Sequence, residues 1–253
     1  MNRGAAVMGV GAAVVAAIVA CTDIPTDAGA VLSIGVDTVA SPSVVLGDTL
    51  RDSIGIVRPL TVTAFNFQGD VIANAPVRFT TRDRGVLVDS VTGIVRGDSV
   101  RSTPARIFAR VAGLEAAISL DVTLRPDTVA GQNVLDSLLY SLTDTLANVS
   151  PALSVKILHG FSGDSAVKSY VVSFRVTSTT DTALVKLVND AGRASLLDTS
   201  DASGIAGRKI RLDPARLTSL ADSVIVAATV KYRGVQLRGS PVRMVLKLKP
   251  RAP

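Results

Sequence analysis

The sequence predicts an all-β chain, two β-sandwiches in tandem behind an N-terminal export segment, and three observations carry that prediction. Apolar and polar residues alternate with a period of two in several separate stretches, the signature of strands with one solvated face. Clusters of turn-forming residues ("SPSVVLGD", "NFQGD", "STTDT", "DASG") separate those stretches. Aromatic residues make up 4% of the chain and Trp is absent, so the cores must be built from Val, Leu, Ile and Ala. Branched side chains of this kind pack well on a pleated surface. The 253 residues suffice for two domains of ordinary size, and a single cysteine allows no intramolecular disulfide in either.

The N-terminal 20 residues predict a signal peptide. Met1-Asn2-Arg3 is a short positive region, and Gly4 to Ala20 is an uncharged apolar run. The run has the length of a signal-peptide core and is marginal for spanning a bilayer. It ends at Cys21, the only cysteine, in the order Ile18-Val19-Ala20-Cys21. These four residues resemble the lipobox of bacterial lipoproteins. The resemblance implies cleavage before Cys21, a diacylglycerol on its sulfur and an acyl group (palmitate in type) on its new amino end. Two or three acyl chains anchor where one binds only marginally. The alternatives are an ordinary secretory signal with an incidental cysteine, or a buried free thiol. Thr22, rather than Asp, follows the cysteine, which in Gram-negative lipoproteins of this kind implies transfer to the outer membrane. Cleavage would lower the net charge from +6 to +5, since Arg3 leaves with the signal.

Residues 21–30 read as a linker carrying Pro25 and Gly29, and residues 31–126 as the first sandwich. In "AAISLDVTL" Ala116, Ile118, Leu120, Val122 and Leu124 alternate with Ala117, Ser119, Asp121 and Thr123. Residues 127–150 read as a junction. Leu135, Leu138, Leu139, Leu142 and Leu146 have helical spacing with Asn133 as a candidate N-cap, while the alternation Leu138, Tyr140, Leu142 fits a first strand equally well. Residues 151–253 read as the second sandwich. There Tyr170, Val172, Phe174 and Val176 share one face, and Val242, Met244, Leu246 and Leu248 oppose Arg243, Val245, Lys247 and Lys249.

"FQGDVIANAPVRF" (67–79) and "YRGVQLRGSPVRM" (232–244) share an aromatic residue, a Gly two positions on, and Pro-Val-Arg before an apolar residue. They read either as divergent copies of one unit or as two hairpins built alike, each with its Pro where no ladder donor is lost. With "SPSVVLGDTL", "LTVTAFNFQGDVIANAPVRF" and "TGIVRG", the first half resembles the bacterial Ig-like domains of invasin-type adhesins. The second half matches more loosely, through "DTSDASGIAGRKIRL" and its last hairpin. The resemblance implies Ig-like sandwiches, a cell-surface setting, and a spacer or adhesive role, but no ligand.

Enzymatic chemistry finds little support. His159 is the only histidine and Glu115 the only Glu; no G-x-S-x-G motif accompanies His159, which reads as a strand-end residue. "DTSDASG" places Asp198 and Asp201 near Gly204, a candidate calcium loop that lacks the EF-hand pattern and reads more simply as a turn. No cofactor or metal is expected. Stacking on sugars has only Tyr140, Tyr170 and Tyr232 to use.

Charge is uneven. Residues 22–126 hold 10 Lys+Arg and 11 Asp+Glu, whereas residues 127–253 hold 16 and 10. A basic second half is a candidate contact for an anionic partner, with Arg243, Lys247, Lys249, Lys231 and Arg233 the residues chosen. The competing reading of Arg243, Lys247 and Lys249 is an edge strand armoured against aggregation. Export, sparse aromatics and the lack of a binding motif argue against nucleic acid. The sequence thus predicts a non-catalytic envelope protein with a structural or adhesive role, joined to the membrane through its lipid. A protein or an anionic envelope polymer is the candidate partner. The alternative is a glycan- or lipopolysaccharide-binding protein that uses the basic half.

Overall fold

Strands make up nearly all the regular structure of the described residues. A computed structural model describes residues 27, 29–144, 148–160, 165–178, 181, 183–216 and 223–251. The predicted signal peptide, Cys21 and most of the leader lie outside the described residues. Helical content among the described residues is a 3-10 turn at Pro214–Arg216, and no helix there is long and apolar enough to cross a membrane.

The first module contains β1 (Ser33–Val36), β2 (Ser43–Val45), β3 (Val62–Phe65), β4 (Arg78–Thr81), β5 (Val86–Val88), β6 (Val95–Gly97), β7 (Ala105–Val111) and β8 (Leu114–Thr123). A sheet ordered β2-β8-β7-β4 is joined by the pairs β1-β3 and β5-β6. Their shared core holds Val44, Leu50, Phe79, Val95, Ile107 and Leu120. The alternation read in β8 is realised as far as Val122: Ile118, Leu120 and Val122 are buried while Ala117 and Ser119 face water, but Thr123, read on the polar face, is buried as well.

The second module contains β9 (Thr128–Asn133), β10 (Leu135–Tyr140), β11 (Leu153–His159), β12 (Ser165–Ala166), β13 (Val171–Val176) and β14 (Val185–Val188). It continues with β15 (Leu197–Thr199), β16 (Ile205–Leu212), β17 (Ser223–Thr229), β18 (Lys231–Tyr232), β19 (Val235–Gln236) and β20 (Val242–Pro250). One sheet runs β10-β20-β17-β13-β15; the other runs β12-β11-β16-β14, with β9 beside β11. Phe174, Ile157, Ile210, Met244 and Leu246 fill the space between them. Each such side chain stabilises the fold by about 1.5–3 kcal/mol through burial.

The structure decides between two pairs of open readings and corrects a third. The helical reading of residues 133–146 gives way to strands over the described part, with Leu146 outside the described residues. The segment 128–140 crosses from one sheet to the other: β9 pairs with β11, and β10 pairs with β20. Asn133 is no N-cap; at this switch its amide donates to Asp136 and to the Ala152 carbonyl, each at 2.9 Å. Leu138 and Tyr140 turn inward while Leu135 and Leu139 turn out, and leucines on both faces of a strand imitate helical spacing.

Second, β20 is not an edge strand, because β10 and β17 flank it on both sides. Arg243, Lys247 and Lys249 therefore occupy the outer face of an interior strand, where no edge needs protection.

Third, the repeated Pro-Val-Arg segments are not one unit used twice. The first connects β3, which pairs with β1, to β4, which pairs with β7. The second returns β17 to its own neighbour β20, with the small β18-β19 hairpin inserted. A structural echo lies elsewhere, in the parallel pairing of an early strand with each module's last strand. β2 pairs with β8 in this way, and β10 with β20.

Candidate functional site at the module junction

The two modules meet along two seams. In the first, the turn after β2 carries Asp48, whose residue is only 4% exposed. A carboxylate buried to this degree needs donors on every side, and the surrounding chain supplies them. The Thr49 N–H donates at 2.8 Å, and Arg51 approaches through Nε and Nη2, both at 3.1 Å. From the second module the Tyr232 hydroxyl donates at 3.0 Å and Arg233 Nε at 2.8 Å. Burial alone would raise the Asp48 carboxyl, but the donors from Arg233, Arg51, Thr49 and Tyr232 outweigh it and hold the group well below the usual carboxylate range.

The local sequence makes this geometry. β18 and β19 are joined by the two residues Arg233 and Gly234, both with positive φ (51° and 80°). Such a turn matches the strand twist and places its side chains outward at a sharp corner. Arg233 therefore accepts a backbone conformation that usually favours Gly or Asn, and its guanidinium lies 5.4 Å from the Tyr232 ring centroid. Gly55 faces this corner with φ +92°, and a Cβ there would lie 2.4 Å from the backbone of Arg233 and Gly234. Only glycine lets the two turns touch.

The second seam joins β8 to the segment before β13. Lys168 Nζ lies 3.2 Å from Asp121 Oδ1, and the Ser169 hydroxyl donates to Asp121 Oδ2 at 2.6 Å. The Ser43 hydroxyl donates to the Ser169 carbonyl at 2.5 Å. The link between modules is held as well. Asp127 accepts from the Gly160 N–H and from Arg125 Nε, each at 2.8 Å, and the Asp127 N–H donates to the Leu158 carbonyl. Burial opposes the Asp127 charge, yet these donors keep its carboxyl below the ordinary range.

The residues singled out in the sequence are thereby sorted. Arg233 stands at the junction, bound to Asp48. Lys231 is exposed on the same hairpin, where its carbonyl accepts the Tyr170 hydroxyl at 2.7 Å. Burial holds that phenol protonated well above its usual range. Arg243, Lys247 and Lys249 lie apart from these, on the outer face of β20. His159 closes β11, with Nδ1 2.8 Å from the Arg125 carbonyl and 3.0 Å from Asp127. Among the tyrosines, Tyr140 is buried, and Tyr170 and Tyr232 use their hydroxyls at the junction. In "DTSDASG" the Asp198 carboxylate pairs with Arg208 and accepts the Gly207 N–H, while Asp201 accepts the N–H groups of Ser203 and Ile205. These oxygens close a turn.

A cavity of about 210 Å³ on the first module is lined by Arg82, Asp83, Arg106, Phe108, Arg110 and Glu115. Its carboxylates are each occupied by an arginine, Asp83 by Arg106 and Glu115 by Arg110. The Arg106 N–H and guanidinium hold the Asp83 carboxyl below its ordinary range. Nothing in the sequence marks Asp48 as the centre of a joint. A buried Asp in the turn "LGDTLR" looks like any turn former until the distant "KYRG" hairpin arrives beside it.

No family model matches the chain, and no curated protein does. Among solved structures it is similar to domains 4 and 5 of the S-layer protein SbsC, at 14% identity and a TM-score of 0.31, over 85% of this chain and 96% of that one. It is similar to the bacterial integrin-binding protein invasin at 16% identity and a TM-score of 0.30, over 87% of this chain and 40% of that one. A β-glucuronidase from Bacteroides uniformis matches at 13% identity and a TM-score of 0.30, over 85% of this chain and 24% of its own. At such low overlap, function rests on this chain's own geometry.

Proposed function

We propose that the chain is a lipid-anchored cell-envelope protein whose two sandwiches serve as a non-catalytic, stiff spacer. The observation that carries this reading is the doubly seamed junction. Asp48 with Tyr232 and Arg233 forms one fastening, Asp121 with Lys168 and Ser169 forms the other, and the linker is itself hydrogen-bonded. Two fastenings resist bending about either one, which suits a part that holds a distance. The carboxylates of the cavity on the first module are tied to arginines, which suits structure better than proton transfer.

The anchor rests on the sequence around Cys21, and the outer-membrane setting rests on the same residues with Thr22. Cys21→Ser tests it. Expression in a Gram-negative host followed by fractionation should move the protein from the membrane to the soluble fraction and remove the acyl mass from its N-terminal peptide. A Cys21→Ser protein that stays in membranes, with wild type free of acyl mass, would refute the anchor.

A further inference from the structure

The outer face of the sheet β10-β20-β17-β13-β15 has an unusual composition. Its outward positions are fixed by strand register. Ser137, Lys247 and Ser223 form one row; Leu135, Val245 and Ile225 form a second; Arg243, Ala227 and Arg175 form a third. Leu139 stands opposite Lys249. None of these outward positions carries Asp or Glu. Among the described residues Arg175, Arg243, Lys247 and Lys249 form no ion pair, whereas Arg58, Arg106, Lys168 and Arg208 each do. Between the cations stand leucines that ordinary strand design would make polar: Leu135 is 59% exposed and Leu139 52%.

We propose that this face lays the second module against an anionic lipid surface. The positive charge excludes a second copy of the same face, because two such surfaces repel. Charge complementarity requires an anion, and the interleaved leucines favour one with apolar matter just beneath its headgroups. The sheet's aromatic side chains Tyr140 and Phe174 point into the core, so sugar rings find no stacking platform here. An open sheet face with cations flanking leucines can settle on acidic headgroups while Leu135 and Leu139 reach the level of the first methylenes. Arg233 is outside this surface, being engaged by Asp48. The inference goes beyond the spacer reading and does not depend on the anchor at Cys21.

The test uses the full chain carrying Cys21→Ser, so that no acyl chain contributes, with vesicles of phosphatidylcholine alone or mixed with phosphatidylglycerol. The N-terminal segment, with its apolar run and Arg3, is the same in every variant, so the change in ratio between variants reports the sheet face alone. The ratio should favour the acidic vesicles and fall about fivefold for each of R243Q, K247Q and K249Q, the worth of one cation near such a surface. Raising salt on the unsubstituted protein should produce the same loss without any change of sequence. L135S with L139S should weaken retention on acidic vesicles while leaving its salt dependence intact. Equal binding to both vesicle types, or a triple glutamine variant of unchanged melting temperature and unchanged ratio, would overturn the proposal. So would a soluble acidic polysaccharide that captures the protein as tightly and is indifferent to L135S/L139S, since the partner would then be a polymer.

Discussion

At the scale of single residues the account turns on Asp48. Its carboxylate collects donors from both modules, and losing it strands two guanidiniums and a phenol that water can partly reach. Hydrogen bonds to charged groups contribute about 1.5–3 kcal/mol each when removed, so Asp48→Asn should cost roughly 2 kcal/mol, the partial exposure of Arg51 and Arg233 keeping it modest. The pH dependence follows from the direction of the shift. A carboxyl held below its unfolded value stabilises the fold at every pH above that unfolded value, about 3.9. That stabilisation disappears as pH falls through the lower folded value. Thermal melting of wild type and Asp48→Asn should therefore differ by a constant amount from neutral pH to about pH 5 and converge only in stronger acid. Convergence near neutrality would show that Asp48 is not held as described. None of this was legible in the sequence. Asp48 and Arg233 are far apart along the chain, and local pattern carries no information on which turn will meet which. Arg233 left one faint trace, since an Arg-Gly pair between short alternating runs is compatible with a tight hairpin.

At the scale of elements, strands with one buried face were readable and those with apolar residues on both faces were ambiguous. β8, β13 and β20 alternate in the sequence, and the structure buries the faces so predicted, Leu120, Phe174 and Leu246 among them. For β10 the same reasoning offered a strand through Leu138 and Tyr140 but could not choose it over a helix, because Leu135 and Leu139 occupy its outer face and disturb the period. Its partner, β20, lies at the other end of the module, so no nearby residues announced the parallel pairing. The position of β20 inside its sheet was equally hidden, since outward Lys and Arg look alike on edge and interior strands. Leu246 and Lys247 are neighbours on β20 with opposite fates, and they give a direct check. Leu246 is fully buried, and Leu246→Ala should lower the free energy of unfolding in urea by about 2–5 kcal/mol. Lys247→Ala, on the exposed face, should change it by less than about 0.5 kcal/mol. A large effect at Lys247 in the isolated protein would mean that the outer face is packed rather than open.

At the scale of the whole molecule, composition and turn spacing sufficed for the class of fold: an all-β chain with two separate hydrophobic cores. How the cores are joined depended on contacts that only the folded chain reveals. The four residues Leu124 to Asp127 would allow a hinge by length alone, but Asp127 is bonded to β11 and to Gly160, and two further seams join the modules. Stiffness of the pair is the central claim, and the measurement that addresses it most directly is a distance distribution between the modules. Spin labels at Ser119→Cys and Ser173→Cys, both exposed and one on each module, report it by double electron–electron resonance in a Cys21→Ser background. The account predicts one narrow distance in the otherwise unaltered protein, and a broadened distribution when Asp48→Ala is combined with Asp121→Ala. A distribution already broad before either junction residue is changed would contradict it.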